Sequence, residues 1–309
     1  MRELNKLEVF EGCFYNVRDL SMYAGQTKRL HNYLIWLSTR IIIHPSDAFV
    51  AQNIYYSKMV AFEGFDINSG DGIILPYDIQ KLRVVNCGGM RSLNDISGLK
   101  DATDLKECRI FVCNELESVF SSKFGQLETL EHLQLRCLLN LKAIIVGESS
   151  VGTFSSLNKI YLERCGKIKN LFSAKWVLHN LEEISVFYCD EMEEIIVSEE
   201  EGMGNNTNTI KYTLPKLSTL ELWKLPKLKS ICSKNGVMVC DSLQYINIEN
   251  CLKLKRIPLH LPLLDLDKEK PSPPPALKEI RVYPKKWWES VEWDHPDAKN
   301  VLLPLLKLW

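Results

Sequence analysis

The chain has 309 residues, of which 46% are hydrophobic and 25% are charged, as is typical of folded soluble proteins. Its formal net charge of -1 gives no overall field that would recruit nucleic acid or an acidic membrane. The N-terminal sequence lacks a signal-peptide pattern, and the longest apolar runs are far shorter than the ~20 residues of a membrane span. We therefore expect a cytoplasmic protein with neither a nucleic-acid partner nor a membrane span.

Residues 1–78 are predicted to form irregular N-terminal repeats. Leu4, Leu7 and Val9 have the spacing of a strand with one buried face, and the pattern is then lost. The segments LHNYLIWLS and KMVAFEGF are two further predicted strands. No polar helical cap precedes the first repeat, although the ends of a solenoid need cover, so we expect a piece of a longer chain.

Regular repeats are predicted for residues 79–276. Apolar residues recur at offsets 0, 3, 5, 8, 11 and 14 from unit starts at 79, 105, 130, 157, 181, 217, 243 and 277. This is the leucine-rich-repeat pattern L-x-x-L-x-L-x-x-N/C-x-L. Offsets 3 and 5 indicate a strand with one buried face, and offsets 11 and 14 a return arm at helical or 3₁₀ spacing. The predicted fold is an α/β repeat solenoid: a leucine-rich-repeat horseshoe with a parallel β-sheet on its concave face and helical, 3₁₀ or irregular segments on its convex face.

The cysteines follow the same register, because five of the ten stand at offset 8: Cys87, Cys113, Cys165, Cys189 and Cys251. The bend there needs a small buried residue that can donate weakly to backbone carbonyls, which Cys or Asn provides. No C-x₂-C pair occurs, so a structural role is favoured over zinc or redox chemistry. Cys165 and Cys189 are expected roughly 5 Å apart, but their parallel side chains and a reducing compartment predict free thiols.

Two insertions interrupt the repeats, near residues 196–216 and 258–276. The first carries the acidic run Glu199–Glu201 and the second is rich in proline, so both are predicted as surface excursions. Tolerated insertions are favoured over contact loops. Residues 277–309 are predicted as a degenerate last repeat and a C-terminal cap, in which Trp287 and Trp288 cover the last repeat rather than form an aromatic cage.

The C-terminal sequence ALKEIRVYPKKWWESVEWDHPDAKNVLLPLLKLW and repeats such as Leu181–Ile195 resemble plant disease-resistance proteins of the coiled-coil, nucleotide-binding, leucine-rich-repeat class. The resemblance implies the sensor arm of an intracellular immune receptor that recognises a pathogen effector or a guarded host protein. In full-length relatives this arm would also restrain the nucleotide-binding domain, which binds ADP or ATP. The G-x-x-x-x-G-K-[ST] loop of that domain does not occur here, so no cofactor is expected in this chain.

The sequence contains no recognisable catalytic pattern. The six histidines lack metal-binding spacings, and Asp265 and Asp267 lack the glycine and distal glutamate of a calcium loop. No nucleophile elbow is present. We therefore predict no catalytic, cofactor or metal site, and no enzyme.

The predicted site is a protein-binding surface on the concave face, where offsets 4, 6 and 7 are expected to point to solvent. Exposed aromatic residues flanked by Arg and Glu are typical of binding hot spots, although single exposed aromatics are ordinary. The predicted contact residues are Arg109, Phe111, Arg136, Tyr161, Glu163, Arg164, Phe187, Tyr188, Glu221, Trp223 and Lys224. The alternative is a leucine-rich-repeat substrate adaptor of a ubiquitin-ligase complex. A helical F-box-like segment before the repeats would favour that alternative, and residues 1–78 show none.

Overall fold

A computed structural model describes residues 9–24, 32–38, 58–67, 72–121, 127–150, 152–197, 209–263 and 270–308. The chain divides into two compact units, Met1–Glu148 (unit 1) and Ser149–Trp309 (unit 2). Each unit is a parallel β-solenoid, in which successive turns of the chain add one strand to a parallel sheet.

Unit 1 has one main sheet and one small second sheet. Its described strands are β1 (Val9–Phe14), β2 (Asn32–Ser38), β3 (Lys58–Glu63), β4 (Lys81–Val85), β5 (Glu107–Phe111), β6 (Ser118–Ser121), β7 (His132–Arg136) and β8 (Ala143–Val146). The main sheet has the order β1-β2-β3-β4-β5-β7, and β6 pairs with β8. Helix α1 (Val17–Ala24) follows β1, and 3₁₀ turns span Leu93–Asp95 and Ser97–Asp101.

Unit 2 repeats this plan. Its described strands are β9 (Lys159–Glu163), β10 (Asn170–Ser173), β11 (Glu183–Phe187), β12 (Glu194–Val197), β13 (Ile210–Thr213), β14 (Thr219–Trp223), β15 (Gly236–Val239), β16 (Tyr245–Glu249), β17 (Glu279–Tyr283) and β18 (Leu306–Leu308). The main sheet has the order β9-β11-β14-β16-β17-β18, while β10 pairs with β12 and β13 with β15. Helices α2 (Lys285–Glu289) and α3 (Ala298–Leu302) and a 3₁₀ turn at Leu303–Leu305 form the C-terminal end.

The leucine register is confirmed by the strand positions. In each of the eight predicted repeats a strand occupies offsets 2 to 6: β4, β5, β7, β9, β11, β14, β16 and β17. Side chains at offsets 3 and 5 point inward; Leu82 and Val84, for example, are at most 1% exposed. Leucines at offset 0 and apolar residues at offset 11 are equally buried, so the core lies between each sheet and its return arms.

The return arms differ from the prediction. The 3₁₀ turns of unit 1 match the expected spacing, but most described arms carry short strands that pair with one another. Sequences such as AIIV in β8 and EIIV in β12 explain this difference, because β-branched side chains favour extended backbone over helix.

The region predicted as irregular N-terminal repeats contains three described strands. β2 and β3 lie where the segments LHNYLIWLS and KMVAFEGF predict them. β1 begins at Val9, whose side chain is 58% exposed, so the prediction that Val9 lies on the buried face of a strand is wrong; Leu4 and Leu7 lie outside the described residues. Helix α1 was not predicted.

The structure describes parts of the predicted cap and insertions. Trp287 and Trp288 are 3% and 2% exposed, and Trp287 Nε1–H donates to the carbonyl oxygen of Leu254 at 2.7 Å. The first insertion contributes β13, which the sequence did not predict, while Glu199–Glu201 lie outside the described residues. Asp265 and Asp267 in the second insertion also lie outside them.

Candidate protein-recognition surface

Aromatic side chains of three neighbouring strands meet on the outward face of the unit 2 sheet. Tyr161 stands on β9, Phe187 on β11 and Trp223 on β14, and Phe187 and Trp223 are directly paired in register. The ring centroids of Tyr161 and Phe187 are 5.3 Å apart at 61°, and those of Phe187 and Trp223 are 4.9 Å apart at 63°. Edge-to-face contacts of this kind are favourable. We call Tyr161, Phe187 and Trp223 the aromatic ladder.

Two residues of this face are less exposed than predicted. Phe187 and Glu163 are each only 8% exposed, so the expectation that all offset-6 side chains point freely to solvent is wrong for them. The flanking rings cover Phe187 on both sides. Glu163 accepts hydrogen bonds from Tyr161 Oη at 2.9 Å and from Arg164 Nη1 at 2.8 Å, which satisfy the enclosed carboxylate.

Trp223, at one end of the ladder, is partly accessible, as is Tyr161 at the other end. Its indole Nε1–H is enclosed and has no hydrogen-bond acceptor within the described part of the chain. Glu221, two residues earlier, is also partly accessible, and its Oε2 lies 3.2 Å from Ser185 Oγ. A large, half-buried aromatic ring beside a carboxylate is a typical binding anchor.

The ends of the sheet strands share an unusual backbone conformation. The residue at offset 7 adopts a positive φ in seven repeats: Asn86, Val112, Cys137, Arg164, Tyr188, Lys224 and Asn250. The N–H donates to the offset-6 carbonyl of the next strand at six of these positions, as from Tyr188 to Trp223 at 3.0 Å; the six donors are Asn86, Val112, Arg164, Tyr188, Lys224 and Asn250. The left-handed residue therefore closes each strand while preserving the parallel ladder of hydrogen bonds.

In unit 2 the cationic side chains at two of these left-handed positions, Arg164 and Lys224, pack against the ring of Tyr188 at a third. Arg164 Cζ lies 5.1 Å and Lys224 Nζ 4.9 Å from the ring centroid of Tyr188. Arg164 and Lys224 are exposed and Tyr188 is half-buried. Both distances are within the range of cation–π attraction. We call Arg164, Tyr188 and Lys224 the cation–π stack, and it runs beside the aromatic ladder.

Three predicted contact residues lie in unit 1. Arg109 and Phe111 stand on β5 and Arg136 on β7, all partly exposed. Arg136 pairs in register with Phe111, and its Cζ lies 6.0 Å from the Phe111 ring centroid. Arg109 forms an ion pair with Glu107. These residues thus form a surface of their own on the unit 1 sheet.

Arg83 on β4 belongs to the same surface, although the sequence prediction did not include it. Its Cζ lies 5.7 Å from the ring centroid of Phe111 and 6.0 Å from that of Trp36. Trp36 stands on β2, whose alignment with the repeats cannot be read from the leucines. Its register pairing with Arg109, a predicted contact residue, is the feature that could have identified Arg83. We call Arg83, Arg109 and Arg136 the arginine cluster.

The offset-8 cysteines have the structural role that was predicted. Cys189 Sγ lies 3.4 Å from the carbonyl oxygen of Phe187, and Cys251 Sγ lies 3.3 Å from that of Leu222. Burial raises the pKa of the Cys113 and Cys251 thiols to about 12. All ten cysteines are free thiols in the structure. Protonated, enclosed thiols of this kind are poor nucleophiles.

The remaining features of the described residues concern metal sites, cavities and membrane-spanning helices. No group of three or more His, Cys, Asp or Glu within the described ranges could hold a metal ion. A cavity of about 510 Å³ in unit 2, lined by Arg256, Trp293 and Asp294 among others, lies at the return arms and the cap. Arg256 is already paired there with Asp294 (Nε–Oδ1 2.7 Å). Among the described helices, none is long and apolar enough to cross a membrane.

Stacked strand–bend–return-arm repeats with aromatic and charged residues on an outward sheet face define a leucine-rich-repeat recognition module. Comparison with known families then places it more closely: the family described as plant disease resistance protein RPS2-like, leucine-rich repeats, matches residues 75–176 and 129–261. The matches together span residues 75–261, more than half of the chain. The chain belongs to this family.

Relatives with disease-resistance names support this assignment. From Arabidopsis thaliana, Disease resistance protein At4g27190 is 28% identical over 58% of this chain, and Disease resistance protein RPS5 is 31% identical over 49%. Probable disease resistance protein At1g12290 is 24% identical over 82% of it. The chain spans only 16%, 15% and 33% of these relatives. No solved structure matches it. These comparisons give no support to the ubiquitin-ligase adaptor alternative.

Proposed function

We propose that the outward face of the unit 2 sheet is a protein-binding surface of a plant disease-resistance receptor, with the aromatic ladder and the cation–π stack as its contact centre. The partner would be a pathogen effector or a guarded host protein inside the cell. This chain itself would carry no cofactor and make or break no bond. The observation that carries the proposal is the continuous stacking of Tyr161, Phe187 and Trp223 across adjacent strands.

The physical support lies in composition and preorganisation. Aromatic rings locked edge to face lose little conformational entropy when a partner covers them. Arg164 and Lys224 are already held against Tyr188, so their charges are positioned before binding. Tyr, Trp and Arg are the residues that dominate hot spots at protein interfaces. A partner with an apolar surface rimmed by carboxylates would complement this face.

A matched pair of double variants tests the proposal. Tyr188→Asn with Lys224→Glu removes the ring and reverses a charge, while Asn tolerates the positive φ at position 188. Leu252→Asn with Lys253→Glu makes the same kind of change at two exposed residues in the turn after β16. Immobilised wild type and both variants are exposed to plant extract, and retained proteins are quantified by mass spectrometry.

The expected result is a protein retained by wild type and by the turn variant but lost from the Tyr188/Lys224 variant. The interaction is then repeated with the purified partner. Equal retention by both double variants, with unchanged circular dichroism, would contradict the proposal.

A second part of the proposal concerns full-length relatives, in which this repeat region would restrain the nucleotide-binding domain. It is supported by family membership and by the small share of the relatives that the chain spans. Co-purification of the chain with a separately expressed nucleotide-binding region of a relative tests it. Absence of a complex in the ADP-loaded state would contradict it.

A further inference from the structure

Three guanidinium groups converge on the outward face of the unit 1 sheet. Arg83 and Arg109 are paired in register on β4 and β5, and Arg136 is paired with Phe111 on β5 and β7. Arg83 Cζ and Arg136 Cζ lie 5.7 Å and 6.0 Å from the Phe111 ring centroid. The Phe111 ring thus lies close to two of the guanidinium groups, and the third, that of Arg109, belongs to the same strand as Phe111.

Positive charge exceeds negative charge among the neighbouring outward side chains. On β3, β4, β5 and β7 these rows contain four cations and two carboxylates: Lys81, Arg83, Arg109 and Arg136 against Glu63 and Glu107. Glu107 is shared, because it pairs with Arg109 and lies 3.6 Å from Lys81 Nζ. The described part of this face therefore carries a local surplus of cations in a chain whose net charge is only -1.

Arg83 has a hydrogen-bond donor that no described residue accepts from. Its Nε is enclosed and has no acceptor among the described residues. Burial lowers the pKa of Arg83 from its ordinary value; Glu63 opposes this effect and Arg109 adds to it. A guanidinium that packs among aromatic rings and beside another guanidinium is stabilised electrostatically when an anion approaches. Its planar fork favours a carboxylate, which it can bind through two parallel hydrogen bonds.

We propose that the arginine cluster binds the carboxylates of an acidic segment of a protein partner. From β4 to β7 the cluster crosses two strand spacings of the sheet, about 10 Å, which exceeds one carboxylate and suits acidic side chains along an extended peptide. Phe111 supplies an apolar floor between the charges. The inference rests on the proposed function in that the chain recognises proteins, but it uses unit 1 and not the aromatic ladder.

The test uses the full chain and a fluorescein-labelled decapeptide of alternating Glu and Gly, followed by fluorescence anisotropy at low and at physiological salt. The same peptide with Gln in place of Glu is the neutral probe. Arg83→Gln with Arg109→Gln removes two charges from the cluster. Lys100→Gln with Lys142→Gln removes two charges from exposed positions outside the strands of the main sheet, as the control.

We expect the Glu peptide to bind wild type, with affinity falling as salt rises, and the Gln peptide not to bind. The Arg83/Arg109 variant should bind at least about tenfold more weakly, and the Lys100/Lys142 variant within about twofold of wild type. The Tyr188→Asn, Lys224→Glu variant should retain peptide binding, which separates this surface from the ladder.

Several outcomes would overturn the inference. Unchanged peptide affinity in the Arg83/Arg109 variant would do so, and a lowered melting temperature with unchanged affinity would show that the arginines are only structural. Equal binding of the Gln peptide, or tighter binding of a single-stranded RNA decamer, would also overturn it. Equal partner capture by the two double variants of the ladder test, with intact Glu-peptide binding, would instead contradict only the ladder proposal.

Discussion

Val112 is the residue whose backbone conformation and side-chain type conflict most clearly. Its φ is 58°, and its side chain is 41% exposed, so it gains little from burial. The left-handed region costs an L-residue about 1–2 kcal/mol, and β-branched residues rarely adopt it. The same offset carries Asn86 and Asn250 in other repeats, and Asn tolerates this conformation. Val112→Asn should therefore raise the free energy of unfolding by about 1 kcal/mol.

Val112→Gly should gain less, about 0.5 kcal/mol, because glycine also increases the freedom of the unfolded chain. The bond from the Val112 N–H to the carbonyl oxygen of Arg136 (3.0 Å) involves only backbone and is kept in both variants. The assay is urea unfolding followed by circular dichroism, in which the midpoint should rise while the slope stays constant.

Val146→Asn is the matched control for Val112→Asn. Val146 is 54% exposed at the end of β8 and does not have a positive φ, so asparagine there should lower stability by up to about 0.5 kcal/mol. If Val112→Asn were neutral or destabilising, or if Val146→Asn gained as much, the assignment of strain to offset 7 would be refuted.

Three further predictions follow from burial. Phe187→Ala should lower the free energy of unfolding by about 3 kcal/mol because Phe187 is 8% exposed, whereas Leu139→Ala, at 56% exposure, should cost less than about 0.5 kcal/mol; thermal melts compare them. Ellman's reagent should label exposed Cys13 in the folded chain and reach Cys251 only after unfolding, and fast labelling of Cys251 would argue against its burial. Burial raises the pKa of the Cys251 thiol from 9.0 to about 12, so between these pH values the folded chain keeps a proton that the unfolded chain loses. The contribution of Cys251 to stability is therefore complete below pH 9 and declines as the pH rises toward 12. Cys251→Ser should flatten this decline in urea midpoints.

The sequence predicted the strands of the repeats because their register depends on local apolar spacing. Offsets 3 and 5 place Leu82 and Val84 on one face of a strand whatever the rest of the chain does. The return arms were less predictable, since both 3₁₀ turns and short strands bury residues at offsets 11 and 14. Local β-branched content decides between them, as in β8 and β12.

The residues of the site could be predicted from the sequence, but the exposure of their side chains could not. Phe187 and Trp223 share an offset, so the sequence places them side by side. Phe187 is covered by rings of the two neighbouring repeats, and Glu163 is enclosed by hydrogen bonds to Tyr161 and Arg164 of its own repeat, which the offset alone does not describe. Arg83 stands at offset 4, which is expected to face solvent, but it was not among the predicted contact residues; its contact with Trp36 joins a regular repeat to an irregular one, which the offsets do not show.

The central claim is that the outward face of the unit 2 sheet binds a protein partner, and site-specific photo-crosslinking tests it most directly. A photoreactive amino acid is placed at position 188, on the cation–π stack, and in a second chain at position 175, an exposed position in the turn after β10. Each chain is irradiated with the captured partner. We expect a covalent adduct from position 188 and none from position 175. An adduct from position 175 with none from position 188 would contradict it.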